Sequence, residues 1–535
     1  MNKTLRYTGI FALFALAANS LFAQIKTNAL FSDGMVLQRG MKAPVWGWTK
    51  PGGKVSVRFA GQVKETVAGK DGKWLIELDP LKVDSNPAEL IIASGQDKKI
   101  IRNVLVGEVW IGSGQSNMDY KLAWLKSPSK AKKGEYPAGD YIGNEIRTAN
   151  DPLFRHITVE HQVSAYKSAD DFKGKWMESK PGNNEEFSGT GYFFGRELCR
   201  RLKVPVGFIK SAWGATGVQP WMPASAFKDD PYLEDYYRRF YLGRLEKVKS
   251  WNQPKVDAQF ESDMKKWQEG GKKGPKPYKL KRYDLSQQLG TTLFKGMIAP
   301  LIPYAVKGVI WYQGESNRGM PSDIYSKYFE AMIKGWRREW KRQDMPFIYA
   351  QLAAFYKPGD KSKNAMGWIG ICEAQRRALK IKNTGMAVQI DIGNPTNIHP
   401  KNKYDLAKRL ALWAYNIAYG MNLPVISGPL YKSCKIMSDK AVISFDHTGS
   451  GLMTGYKNHM DPVVATNEEL KFFEIRGNDG KWYPGKAEIV GKDKVEVSSA
   501  DVKEPVAVRY AWASNPKGAN LYNKEGLPAA LFTTE

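Results

Sequence analysis

Cysteine is scarce in this chain: Cys199, Cys372 and Cys434 are the only three in 535 residues. An odd number without close spacing excludes a disulfide framework or a cysteine zinc site as the organising device. One bridge plus a free thiol stays open, but buried, inert thiols are the simpler expectation. Histidine is nearly as rare, with His156, His161, His399, His447 and His459. No His/Cys/Asp/Glu group has ligand spacing, and no glycine-rich phosphate loop is apparent, so neither metal nor organic cofactor is expected. Beyond the first residues no apolar run is long enough for a membrane helix. Acidic residues are in deficit, 54 against 80 basic ones, for a net charge of +26. No nucleic-acid motif accompanies this charge, so no nucleic-acid partner is expected. Basic side chains cluster in polar stretches such as Lys272, Lys273, Lys276, Lys279, Lys281 and Arg282. Solubility is the plain reading of that charge, and a field attracting acidic glycans is the alternative.

What is present is globular. Hydrophobic residues make up 42% of the chain, and its length exceeds what one core fills, so two to four domains are expected. Lys3 and Arg6, an apolar stretch from Tyr7 to Ala18, and Leu21-Phe22-Ala23 before Gln24 read as a cleavable export signal over 1–23. No cysteine follows to carry a lipid anchor. The mature chain is therefore expected in the periplasm or outside the cell. Over 24–103, short alternating runs (Val45 to Trp48; Val55, Val57, Phe59; Trp74, Ile76, Leu78) between Gly/Pro turns predict a small β-sandwich. It would act as a sugar-binding module or as a structural cap. Over 104–423 strands alternate with amphipathic helices, which predicts βαβ units and a mostly parallel sheet. A polar insertion around 223–295 interrupts it, with a mobile loop expected at 270–282. Short strands return over 424–535, predicting a second β-rich region.

Three segments carry chemistry. The apolar run Val104 to Ile111 leads into Gly112-Ser113-Gly114-Gln115-Ser116-Asn117-Met118. The carboxyl end of such a strand is where an α/β sheet presents reactive groups. A serine hydroxyl there needs a base and an oxyanion cradle. Trp311 to Asn317 (WYQGESN) and Asn397-Ile398-His399-Pro400 offer both. His399 precedes Pro400 and a helical stripe of Leu406, Leu410, Trp413, Ala414 and Ile417, so a loop at a helix start presents it, with Pro400 in the first turn. The positive end of that helix favours a neutral, proton-accepting imidazole. Ser113 is the rival nucleophile, and a Gly/Ser turn with a capping histidine is the structural alternative.

The GQSNM, WYQGESN and IHPKNK blocks resemble those of the SGNH/GDSL hydrolase superfamily, and more narrowly the sialate O-acetylesterase family. Flanking stretches match as well: FSDGMVLQR from Phe31, SAWGAT from Ser211 and NLYN from Asn520. The resemblance implies an SGNH-type three-layer α/β domain with a parallel sheet, flanked by N- and C-terminal β-rich domains. It implies Ser116 as nucleophile and His399 as base, with Ser116 N–H, Gly214 N–H and an amide as oxyanion donors. Gln313 is favoured over Asn317 for that amide. Ala215 stands where relatives often have a second glycine. Superfamily members often carry Asp two or three positions before the histidine, where this chain has Asn397 and Thr396. Asp391 is the first candidate for the third member and Glu315 the second; a backbone carbonyl orienting the imidazole is the alternative. The expected activity is removal of O-acetyl groups from sialic acids through an acetyl-serine intermediate. Deacetylation of xylan, pectin or another plant glycan is the runner-up, and a silent carbohydrate-binding protein the rival of another class. A glycosidase lacks its paired carboxylates here.

Overall fold

The computed structural model describes residues 25–126 and 138–535, so the expected export signal lies outside the described residues. The protein is a mixed α/β structure with β-rich regions before and after its central sheet. That sheet has eleven strands, and seven form its main path: β1 (Asp97–Gly114), β2 (Asp151–Thr158), β3 (Met177–Ser179), β4 (Val206–Ala212), β5 (Gly308–Tyr312), β6 (Phe347–Ala350) and β7 (Thr384–Ala387). Their spatial order is β3-β2-β4-β1-β5-β6-β7. All neighbours run parallel except β3, which is antiparallel to β2.

β1 spans 18 residues and changes character along its length. Its first half is partly exposed and pairs antiparallel with the Asp84–Ser94 strand, while Val36–Gln38 pairs parallel with it at Leu105 to Gly107. Its second half, from Val104, is buried throughout and lies between β4 and β5. A run buried on both faces must be apolar throughout, which is why it reads as Val-Leu-Val with no alternation. Position 103/104 therefore falls inside one continuous strand. Of the other N-terminal strands, Lys54–Phe59 and Gln62–Val67 join the same sheet through Asp84–Ser94, while Lys26–Thr27, Ala43–Trp48 and Lys73–Leu78 form a separate three-stranded sheet.

Four helices cover the sheet: α1 (Gly189–Leu202), α2 (Ser322–Glu339), α3 (Lys363–Arg377) and α4 (Lys403–Ile417). Ser188 caps α1, its hydroxyl accepting from Gly191 N–H at 2.9 Å, and Asn402 caps α4 by accepting from Asp405 N–H at 3.0 Å. α4 buries Leu406, Leu410, Trp413 and Ala414 as the stripe requires; Ile417 is only half-buried. The insertion folds into short helices and one long helix, Gln253–Glu269, which buries no side chain. Residues 270–282 carry neither helix nor strand and are largely exposed. After Leu423 the chain returns to short antiparallel strands, including the four-stranded order Leu430–Met437, Lys440–Asp446, Lys494–Ser498, Lys486–Ile489.

β1 is first in the sheet's parallel sequence yet central in space. The chain builds β2 and β4 on one side of it and then crosses to β5 on the other. That reversal opens a crevice at the carboxyl ends of β4, β1 and β5. The register aligns those ends, pairing Ala212 and Tyr312 with Gly114 from either side.

Candidate active site

Two glycines let β1 end where it does. A Cβ at Gly112 would lie 2.3 Å from the Phe208 ring. Gly114 has φ of +129°, and a Cβ there would lie 2.2 Å from the Tyr312 carbonyl oxygen. Bulk at either position would push the neighbouring strands apart. Ser116 then opens a four-residue helix, Ser116–Asp119, and keeps partial exposure. Ser113, the rival, sits within β1 with its hydroxyl fully buried.

His399 Nε2 lies 2.9 Å from Ser116 Oγ across 283 positions of chain. Asn397 Oδ1 accepts from His399 N–H at 2.9 Å and fixes the loop. The Tyr120 ring stacks on the imidazole, centroids 5.1 Å apart. Burial, and then the Lys403 ammonium, push the imidazole pKa down to about 4, so at neutral pH it is a proton acceptor. Pro400 is not in the first turn of the helix as expected. α4 starts at Lys403, because Asn402 supplies the cap. Three of the other four histidines are engaged elsewhere: His156 is buried against Phe187, His161 stacks on Trp213 and His447 meets the edge of Trp413.

Asp391, the first candidate for the third member, is turned to Arg409. Its Oδ1 and Oδ2 accept from the two terminal guanidinium nitrogens at 2.6 and 2.8 Å. A buried guanidinium is a stronger and geometrically better partner for both oxygens than one imidazole N–H. Glu315 lies nearer the nucleophile: its Oε1 accepts from Asn117 Nδ2 at 2.6 Å, and Oε2 is buried without a hydrogen-bond partner among the described residues. Burial raises its carboxyl pKa. Gln313, expected as an oxyanion donor, instead braces its loop. Its Nε2 donates to Asn317 Oδ1 at 2.7 Å and reaches Gln115 Oε1 and the Thr216 carbonyl at 3.2 Å, which occupies both N–H bonds. Asn317 is tied in as well, accepting from Val218 N–H and donating to Gln219. Gly214 does approach the nucleophile: a Cβ there would lie 3.4 Å from Ser116 Cβ. Ala215 keeps the left-handed backbone of a glycine, φ +58°.

A carbohydrate esterase family model, sialic acid-specific acetylesterase, matches residues 258–414, the span that holds Gln313, Glu315 and His399. A crystal structure of a novel carbohydrate acetylesterase from Xanthomonas citri is 33% identical, with a TM-score of 0.76, covering 96% of this chain and 99% of that one. The chain belongs to the sialic acid-specific acetylesterase family of carbohydrate esterases. It is a carboxylic ester hydrolase. Sialate O-acetylesterases from Pongo abelii and Homo sapiens are each 27% identical, over 94% of this chain and 91% of theirs. Among the described residues, no group of His, Cys, Asp and Glu could hold a metal ion, and no helix is long and apolar enough to cross a membrane.

Four further residues contribute to the site of this esterase. Gln115 Oε1 accepts from Ser316 N–H at 3.2 Å and from Gly314 N–H at 3.4 Å, pinning the Glu315 loop to the nucleophile turn. Tyr120 and the half-exposed Trp124 pack edge to face beside His399, giving the crevice an aromatic wall. Lys403 is fully buried with its Nζ 2.5 Å from Asn117 Oδ1. The signal for Lys403 was its place in the IHPKNK block, but nothing local separates a buried lysine from a solvated one.

Proposed function

We propose that the protein is an exported serine esterase that removes O-acetyl groups from sialic acids through an acetyl-serine intermediate. The observation that carries the mechanism is the 2.9 Å contact of Ser116 Oγ with His399 Nε2 at the carboxyl edge of the sheet. His399 takes the Ser116 proton as Oγ attacks the acetyl carbonyl carbon. Ser116 N–H, at the start of a helix, and Gly214 N–H stabilise the oxyanion. His399 then protonates the departing sugar oxygen. Water, deprotonated by the same imidazole, releases acetate and restores Ser116. Glu315, joined to the nucleophile turn through Asn117, is the carboxylate of this site; Asp391 serves the fold. The SGNH-type three-layer reading rests on the crevice between β4, β1 and β5. Export rests on the apolar segment before Gln24.

The sialic acid assignment draws on the family description and on the names of the relatives, and a net charge of +26 suits an acidic sugar. Acetylated xylan or pectin is the second reading, since the same acyl transfer accepts other leaving alcohols. The test is acetate release by wild type and Ser116→Ala from O-acetylated sialic acids, acetylated xylan and acetylated pectin. Release from sialic acids that is lost in Ser116→Ala is expected. Release from a plant glycan alone overturns the substrate. Activity surviving in Ser116→Ala overturns the nucleophile, and a folded protein inert on all three points to sugar binding without catalysis.

A further inference from the structure

Asn117 makes four contacts at one point behind the reacting pair. Its Nδ2 donates to Glu315 Oε1 at 2.6 Å and to the Ile398 carbonyl at 3.0 Å, its Oδ1 accepts from Lys403 Nζ at 2.5 Å, and its own carbonyl accepts from Thr190 Oγ1 at 3.2 Å. The side-chain partners are chemically one-sided. A lysine can only donate, and a carboxylate or carbonyl can only accept. The Asn117 amide therefore has one usable orientation. Asn117 follows Ser116 directly and Ile398 precedes His399 directly, so this amide joins the nucleophile turn to the base loop.

Lys403 is an unexpected occupant. It is the first residue of α4, where a cation opposes the helix dipole, and it is fully buried. Its Nζ lies over the Tyr312 ring at 4.8 Å and the Tyr120 ring at 5.9 Å; burial pushes its pKa down to about 7 against the opposing pull of Glu315, so it is charged over the acid range in which His399 titrates. The same Tyr120 ring stacks on His399. An apolar side chain would fill this space without desolvating a charge, so the ammonium needs a reason to be there.

We propose that Lys403 is a positioning residue for the Ser116–His399 pair, holding Asn117 in its single orientation and setting a positive charge beside the base. This rests on the esterase reading for its consequence but not for its geometry. The groups facing Lys403 are Asn117, Glu315, Tyr312 and Tyr120; those facing His399 are Ser116, Tyr120 and Lys403. The positive charge disfavours protonation of His399, in the same direction as burial. Removing it moves the imidazole back towards its ordinary value of about 6.5. A lysine that merely filled space would leave that titration where it was.

The test titrates ring-labelled histidine by NMR in the full chain, for wild type, Lys403→Met and Lys403→Gln, with His399→Gln to assign the signal. Glutamine keeps a donor for Asn117 and removes the charge, so it carries the test if the methionine variant does not fold. The His399 midpoint is expected near 4 in wild type and higher by about one unit or more in both variants. On an acetyl ester, kcat of Lys403→Met is expected to fall by up to about 100-fold with KM little changed, and the acid limb of kcat/KM to rise with the NMR midpoint. Lys403→Gln is expected to recover part of kcat but not the midpoint. A midpoint unchanged in the folded variants overturns the charge role whether or not the protein is an esterase. A wild-type kcat in Lys403→Met overturns the positioning role. Absence of turnover in wild type, with the midpoint moved, counts against the esterase reading alone.

Discussion

Asp391→Asn separates fold from catalysis in a way the structure makes quantitative. Asp391 and Arg409 form a two-point ion pair at 2.6 and 2.8 Å, with side chains 3% and 8% exposed. Arg409 also donates to the Val388 carbonyl at 2.7 Å, so the pair ties α4 to the segment leaving β7. Asparagine keeps the shape and removes the charge, leaving a buried guanidinium facing an amide. Breaking such a pair from one side costs about 3–5 kcal/mol. In a domain of this size that is roughly 5–15 °C in the thermal midpoint. Well below that midpoint, kcat/KM of the folded variant should stay within about fivefold of wild type, because Asp391 does not face the imidazole. Thermal melts and initial rates on an acetyl ester read the two effects separately. Asp391→Leu combined with Arg409→Met should recover much of the loss, since an apolar pair replaces a charged one without a stranded ion. An unchanged midpoint with a rate lower by about ten thousandfold would refute the reasoning and make Asp391 the partner of His399.

Two further outcomes follow from local geometry. Ala215→Gly should raise stability or leave it unchanged, by up to about 1 kcal/mol, because Ala215 sits at φ +58°, where a Cβ is strained; a clear loss in a denaturant melt would contradict this. His156 is buried against Phe187, centroids 4.0 Å apart, and burial holds its pKa down to about 3. The unfolded chain binds that proton below about 6.5 and the folded one does not, so stability falls as pH falls from about 6.5 towards 3, by up to about 1.4 kcal/mol per unit. His156→Leu should therefore lose less stability between pH 7 and pH 5 than wild type, and equal losses in the two proteins would refute the assignment.

The division of labour between chain and fold can be read from particular residues. The strand into Ser116, the stripe of α4, the alternation of strands and helices and the three motif blocks were all legible locally. The elements rest on a periodicity or on a glycine whose need is intrinsic to the backbone, and the blocks on the family resemblance. The helix starts three residues after Pro400 because the Asn402 side chain forms the cap. Position before His399 suggests Asp391 for catalysis, and the family resemblance implies Gln313. Their hydrogen bonds go to Arg409 and to Gln115, Thr216 and Asn317, partners up to 198 positions away.

By itself, then, the chain determined which residues could react: a serine after a strand, a histidine from a list of five, and the glycines that let the backbone turn. Only the tertiary structure decided which of them meet. Ser116 and His399 are 283 positions apart and come within 2.9 Å because β1 lies inside the sheet and the loop before α4 brings His399 to the end of β1. The orientation of a carboxylate or an amide is likewise settled by partners that no local window contains. Hydrogen bonds are short-ranged in space and indifferent to distance along the chain, so the roles of Asp391, Gln313 and Lys403 became visible only once the sheet had brought their neighbours together.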